Sequence, residues 1–248
     1  MPWPFSKPNC RAPRPAPPSP GKLETSMSSS EHRSETIALC KELLSFGSAV
    51  VFDSQNRSGA LASAIKPLDR NMKIAGPAFT CVCEPGDNLT LHAALKMAQP
   101  GDVLVCDAMG ATEQGMFGDV MASCGLGRGL AGLVTDGGVR DRLTIIDVGF
   151  PVFAGNVCMQ GTVKEVLGPV NQPITLGGVL VRPGDLIIGD EDGIVVVAAE
   201  TAQTVLEACR KRSAKEAETI SAFSDGRTPW DVNDLGGYLR AKGVAVNF

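Results

Sequence analysis

Between Ile74 and Thr135 the chain alternates short apolar runs with helix-patterned stretches, and this alternation restricts the fold more than any other feature of the sequence. Ile74–Cys83 reads as a strand broken at Gly76-Pro77, Asp87–Ala98 as a capped helix, and Val103–Cys106 as a short buried strand. Gly115–Cys124 reads as a helix and Leu130–Thr135 as the next strand. Strands separated by helices pair in parallel, which predicts an α/β core. Upstream, Ser34 can cap a helix that carries Ile37, Cys40, Leu43 and Leu44 on one face and stops at Gly47. The run Ala49-Val50-Val51-Phe52 that follows has the length of a strand.

The second half has a different rhythm. Val152–Ala154, Gly161–Val166, Val179–Val181, Leu186–Ile188 and Ile194–Val197 read as strands set apart by Gly and Pro turns with no helix between them, the pattern of a meander or sandwich. A polar helix over about 199–223 and a terminal helix over 231–242 close the chain. The expected architecture is a parallel-stranded α/β half, an antiparallel β half and C-terminal helices. Residues 1–30 hold eight of the seventeen prolines and end in a Ser-rich stretch, so they are expected to form a disordered arm ahead of a single domain at 31–248.

Composition excludes several function classes. Hydrophobic residues make up 44% and charged residues 20%, enough for a sizeable core. The formal charge is −4, and residues 1–26 carry four basic residues against one acidic, so the remainder is more acidic still and the body of the protein has no electrostatic reason to seek nucleic acid or anionic lipid. One Tyr and two Trp leave few stacking platforms for single strands. No apolar run reaches the ~18–20 residues that span a bilayer. Eight cysteines scattered through apolar segments look like reduced core residues, which points to the cytoplasm. The basic, proline-rich start leaves organelle targeting open, although its prolines oppose the amphipathic helix of such signals.

The chemistry concentrates between Gly101 and Asp141. Strand Val103–Cys106 ends in Asp107-Ala108-Met109-Gly110, at the strand end where open α/β sheets place ligands. Gly118-Asp119 opens a helix whose first N–H groups can hold a carboxylate or phosphate. The strand after it runs through Asp136-Gly137-Gly138-Val139 into Arg140-Asp141. An Arg clamps a carboxylate bidentately, and an Asp can hold Mg²⁺ with waters in place, so the set suits an anionic oxo acid. An ordinary surface ion pair after a Gly-Gly turn is the alternative on spacing alone.

Asp119, twenty intervening residues, then Arg140-Asp141 resembles the signature of the class II pyruvate aldolases, the 4-hydroxy-4-methyl-2-oxoglutarate and 4-carboxy-4-hydroxy-2-oxoadipate aldolase family. Ala75-Gly76-Pro77-Ala78, Pro85-Gly86-Asp87-Asn88, Pro100-Gly101-Asp102-Val103, Arg128–Gly132, Gly149–Ala154 and the stretch from Pro183-Gly184-Asp185 through Asp192–Val197 are similar to the same family in the same order. The similarity covers about residues 35–242 and extends to a superfamily that includes the regulator of ribonuclease E activity A, RraA.

The resemblance implies an RraA-like α/β/β layered fold and a lyase that needs a divalent metal, Mg²⁺ or Mn²⁺, held by Asp141 partly through waters. It implies that Arg140 binds the substrate carboxylate and stabilises the keto oxygen, that Gly118, Asp119, Val120 and Met121 present backbone N–H groups, and that Asp119 positions water. Lys215-Glu216 matches a family Lys-Glu whose Glu reaches an adjacent subunit's site, which makes Glu216 a cross-subunit catalytic candidate in a homotrimer, in some members paired into a hexamer. The implied reaction is retro-aldol cleavage of a 4-hydroxy-2-oxo acid to pyruvate without a Schiff-base lysine, with oxaloacetate decarboxylation as a companion. The alternative is a non-catalytic regulator of ribonuclease activity. Such regulators tend to lack the acidic residue after the Arg, and Asp141 is present here.

Other motifs have plainer readings. Cys81-x-Cys83 has no second Cys/His pair at zinc spacing and reads as core. Gly125–Gly129 follows a helix and precedes a strand, the wrong order for a dinucleotide loop. His92 reads as a partly buried, satisfied histidine, and Asp190–Gly193 as a turn between strands.

Overall fold

The computed structural model describes residues 29–245, so nearly all of the expected N-terminal arm lies outside the described residues. The chain begins with helices α1 (Ser29–Phe46) and α2 (Ser48–Ser54), then β1 (Lys66–Pro67), β2 (Ile74–Val82), α3 (Leu89–Met97) and β3 (Val103–Asp107). It continues through β4 (Gly115–Phe117), α4 (Asp119–Gly127), β5 (Gly132–Thr135), β6 (Gly138–Val139), α5 (Arg142–Val148), β7 (Val152–Ala154) and β8 (Asn156–Val157). Strands β9 (Ile174–Leu176), β10 (Val179–Val181), β11 (Leu186–Gly189) and β12 (Ile194–Val197) precede α6 (Ala202–Phe223), α7 (Pro229–Val232) and α8 (Leu235–Ala241).

The main sheet runs in the order β1-β7-β5-β3-β2-β11-β12. Strands β2, β3, β5 and β7 are parallel, as the alternation predicts, and β1, β11 and β12 add antiparallel edges. Alternate residues face opposite layers. Leu104, Cys106, Leu133 and Val152 pack with residues of α3, α4 and α5, while Leu186, Ile188, Val195 and Val197 pack with α1, α2 and α6. Val103, Val105, Val134, Phe153 and Ile187 face the β9–β10 hairpin on the other side. The result is a helical layer, a mixed sheet and a β ribbon.

Pro77 does not break β2. The β11 ladder pairs residues 74–77 and the β3 ladder takes over at Ala78, so the proline sits where one partner hands over to the next and its missing N–H costs little. Several expectations are corrected. Residues 49–52 lie in helix α2, because Asp190 accepts hydrogen bonds from Ser48 N (2.7 Å) and Oγ (2.5 Å) and anchors the helix start from 142 residues away. Helix α1 starts at Ser29, so Ser34 is an interior residue rather than a cap. Gly115–Phe117 is a strand ahead of α4. Residues 161–166 form a loop rather than a strand, with one β-bridge, Asp87 to Val163, and N–H ties to the Asp87 side-chain carboxylate. The second half is no separate sandwich: β7 and the β11–β12 hairpin join the main sheet.

Three Glu/Gln/Arg-Pro-Gly-Asp turns recur with one construction. Gly86, Gly101 and Gly184 have φ of 78°, 89° and 88°, the left-handed value that the third residue of a type II turn requires. Each Asp donates its N–H back three residues, and its buried carboxylate accepts further N–H groups. Asp102 receives Gln99 N and Arg33, Asp185 receives Arg182 N and Ala199 N, and Asp87 receives Leu89 N, Glu165 N and Val166 N.

Candidate active site

Beyond the carboxyl ends of β5 and β7 the backbone bends and resumes as β6 and β8, and β6 pairs in parallel with β4 on one side and β8 on the other to make a three-stranded ribbon. Gly155 makes the bend possible, since a Cβ there would collide with the carbonyl of Asp136. The ribbon stands off the sheet edge where parallel α/β folds gather ligands. Arg140 follows β6 directly, and its N–H donates to Phe117 O at 2.9 Å.

Phe117 is buried and stacks on Phe150 with ring centroids 5.9 Å apart, an anchoring contact worth about 0.5–1.5 kcal/mol beyond area burial. It fixes Gly118, the N-cap of α4. A Cβ on Gly118 would lie 2.6 Å from Asp141 Oδ2 and 3.2 Å from Arg140 Nε. A Cβ on Gly115 would lie 2.8 Å from Arg140 Cβ. The missing side chains at 115 and 118 thus make the bed on which Arg140 and Asp141 rest. Arg140 Nε and Asp141 Oδ2 are 3.3 Å apart, and both side chains are partly exposed.

Asp141 has φ 57° and ψ 37°, left-handed geometry that Asp tolerates better than most residues. It stands at the N-cap of α5 without a side-chain capping bond, so its carboxylate is not spent on its own helix. In α4, Ala122 donates the first ladder bond to Gly118 O, which places the N–H groups of Asp119, Val120 and Met121 ahead of the ladder. Val120 N–H is taken by Asp119 Oδ1 at 2.7 Å, so the expectation that all four residues offer free N–H groups is corrected at Val120. Val120 itself is exposed and Met121 buried.

The structure therefore brings Gly118, Asp119, Val120, Met121, Arg140 and Asp141 together. It does not bring Glu216 to them within one chain: Glu216 lies on α6, 2.9 Å from Arg212, which also pairs with Asp53 of α2 at 2.5 Å. The loop at 158–161 was missed from sequence. Cys158 N donates to Val139 O, Gly115 N donates to Gln160 O, and a Cβ on Gly161 would lie 3.9 Å from Arg140 Nη1, so this loop walls the guanidinium. Gly161 was the available signal, masked by the β-branched residues around it.

Asp107 and Asp136 belong to a neighbouring loop that they hold shut: Asp107 accepts Met109 N–H, and Asp136 accepts the N–H groups of Ala108 and Gly110. Burial, and then the charge of Asp136, push the Asp107 carboxyl above its ordinary value. Behind the site, Cys81, Cys83 and Cys106 are buried free thiols, as expected of core residues. Hydrogen bonds from Cys106 and Cys81, with Leu91 N–H and Thr90, pull the Cys83 thiol down to about 4, while its two neighbours are pushed up.

No group of three or more His, Cys, Asp or Glu side chains able to hold a metal gathers among the described residues. One or two carboxylates with several waters are nonetheless the usual protein share of a Mg²⁺ site. The uncapped Asp141 carboxylate, seated where a Gly118 Cβ would be, fits that share.

A family model described as RraA-like, Aldolase/RraA, matches residues 46–196. The chain belongs to the RraA-like family. It is 39% identical over 165 residues to a Halalkalibacterium halodurans protein provisionally named 4-hydroxy-4-methyl-2-oxoglutarate aldolase, covering 66% of this chain and 79% of that one. Among solved structures it is similar to an uncharacterised protein of Pseudomonas syringae pv. tomato, with TM-score 0.69, 28% identity and coverage of 77% and 90%. It is also similar to a Streptomyces coelicolor protein described as an unusual member of the RNase ES inhibitor RraA family, with TM-score 0.65, 31% identity and coverage of 77% and 96%. No described helix is long and apolar enough to cross a membrane.

Proposed function

We propose that this RraA-like protein is a divalent-metal-dependent lyase that cleaves 4-hydroxy-4-methyl-2-oxoglutarate, or a related 4-hydroxy-2-oxo acid, to pyruvate, and that it also decarboxylates oxaloacetate. The observation that carries the reading is the seating of Arg140 and Asp141 over Gly118 at the start of α4. The aldolase name of the Halalkalibacterium relative supports it.

In this reading Arg140 clamps the pyruvoyl carboxylate as a bidentate fork. The N–H groups of Asp119 and Met121 add to the stabilisation of charge on the keto oxygen, where preorganised donors lower the barrier. Mg²⁺ or Mn²⁺ held by Asp141 supplies Lewis-acid polarisation when bound. Asp119 holds the water that takes the C4 hydroxyl proton. The C3–C4 bond breaks, its electron pair passes into the enolate of pyruvate, and C3 then takes up a proton. Glu216 would reach such a site only from a neighbouring subunit, so the proposal includes a homotrimer with a shared cleft.

The test is pyruvate release from 4-hydroxy-4-methyl-2-oxoglutarate and from oxaloacetate, coupled to lactate dehydrogenase, with Mg²⁺ or EDTA, for wild type and Asp141→Ala. Release that needs both metal and Asp141 supports the lyase. No release from either substrate by the metal-loaded protein overturns it and moves a ribonuclease regulator, the description attached to the Streptomyces neighbour, to first place.

A further inference from the structure

Helix α6 is packed along its first half only. Its buried residues, Ala202, Val205, Leu206 and Cys209, join the cluster shared with α1 and α2, and no residue of the helix after Cys209 is buried. The stretch from Cys209 to Phe223 rises about 20 Å, and Glu216 stands in the middle of it. Where the packing stops, two ion pairs tie the helix to the body: Arg210 to Glu42 of α1 and Arg212 to Asp53 of α2, both at 2.5 Å. Of the two arginines, Arg212 also faces Glu216, so that Arg57, Asp53, Arg212 and Glu216 form a chain of alternating charge. Arg212 Nε is buried and makes no aligned hydrogen bond, although Glu216 Oε1 lies 2.9 Å from it. The pairing is therefore one of charge, and it holds the carboxylate in place without spending an oxygen lone pair on a directed bond. Among the described residues no hydrogen bond occupies the Glu216 oxygens. Ion pairs this open to solvent contribute little to stability. What this one does is fix a direction for a carboxylate that its own helix leaves unburied.

We propose that Arg212 is a positioning residue: anchored to α2 by Asp53, it aims the Glu216 carboxylate of its own chain at the Arg140 site of a neighbouring subunit. The assignment rests on the shared-cleft reading above and supplies the device that sets the visiting carboxylate. Helix α2 is itself pinned at its start by Asp190, which follows β11, so the aim is referred back to the main sheet.

The test uses mixed oligomers of two co-expressed full-length chains, each with its own tag, purified through both tags and assayed for pyruvate release with Mg²⁺. In a cyclic trimer of Arg140→Ala and Glu216→Gln chains, one cleft in each trimer draws an intact Arg140 and an intact Glu216 from different chains, so about a third of wild-type activity should return. Arg212→Met alone should lower kcat about tenfold and leave KM within about twofold, because Arg140 still binds the substrate. Mixed with Arg140→Ala it should also recover to about a third, since one cleft then pairs its Arg140 with a Glu216 aimed by an intact Arg212. A merely structural lesion would travel with the Arg140 of the Arg212→Met chain and give no rescue. Asp53→Asn, which frees Arg212 from α2, should act in the same sense and replaces Arg212→Met if that chain fails to assemble. Rescue with Glu216→Gln but not with the Arg212 or Asp53 variant, or full kcat in either of those variants alone, overturns the positioning role and leaves the shared cleft standing. No rescue with Glu216→Gln, or full activity of that chain alone, overturns the shared cleft and the positioning role with it.

Discussion

The Asp141 carboxylate occupies the space that a side chain at Gly118 would need: Oδ2 is 2.6 Å from the position of a Cβ there. Gly118 has φ −137° and ψ −172°, a conformation open to any residue, so glycine is required here for space rather than for backbone freedom. Gly118→Ala should therefore fold normally and lose pyruvate release by about 10²-fold, the scale of a displaced catalytic group. Circular dichroism and the coupled assay separate these effects. Full activity in Gly118→Ala would show that Asp141 does not act from this position.

Arg140→Lys keeps the charge and removes the fork. In the proposed reaction the KM for the oxo acid should rise about tenfold or more, because an ammonium cannot make the paired hydrogen bonds of a guanidinium. The side chain is half-exposed and packs on glycines, so the melting temperature should barely move. An unchanged KM would remove Arg140 from substrate binding.

Asp87 predicts a pH signature. The N–H of Leu89, followed by those of Glu165 and Val166, holds its carboxyl below the ordinary value. A depressed native value stabilises the fold above the unfolded value and is lost as pH falls through the native one. Asp87→Asn should lower the melting temperature most near neutral pH, and the gap from wild type should close as pH drops below the ordinary carboxylate range. A gap independent of pH would contradict the ionic character of this tie.

Cys83, pulled to about 4 by its donors, should be a thiolate at pH 7 inside the native protein. Ultraviolet thiolate absorbance should report one ionised cysteine at neutral pH that disappears in Cys83→Ser and persists in Cys124→Ser. A native protein without thiolate absorbance at pH 7 would reverse the direction assigned here.

How much of this was legible in the sequence follows from where each interaction is made. The parallel strands and the Arg140-Asp141 corner were readable because apolar period and chain order determine them. Helix α2 was not, since its start is anchored by Asp190, which no local pattern around residues 48–54 can signal. Strand β4 and the loop at 161–166 were misassigned for a related reason: β4 exists only because β6 runs beside it, and the loop is held by Asp87 rather than by a ladder. Glu216 was found by motif, and its distance from Arg140 in one chain could emerge only once α6 was placed over α1 and α2.

The two walls around Arg140 also differ in stiffness. On one side the guanidinium hangs from β6, the continuation of β5, whose four residues are buried between the helical layer and the ribbon. That side cannot yield without disturbing the main sheet. On the other side the segment from Cys158 to Leu167 is pinned chiefly by backbone hydrogen bonds to Val139, Gly115 and Gly86 and by two N–H groups on the Asp87 carboxylate. Breathing that admits a ligand, or lets one leave, therefore falls to the second wall. Its free-energy cost is set by a handful of hydrogen bonds, far below that of unfolding the domain.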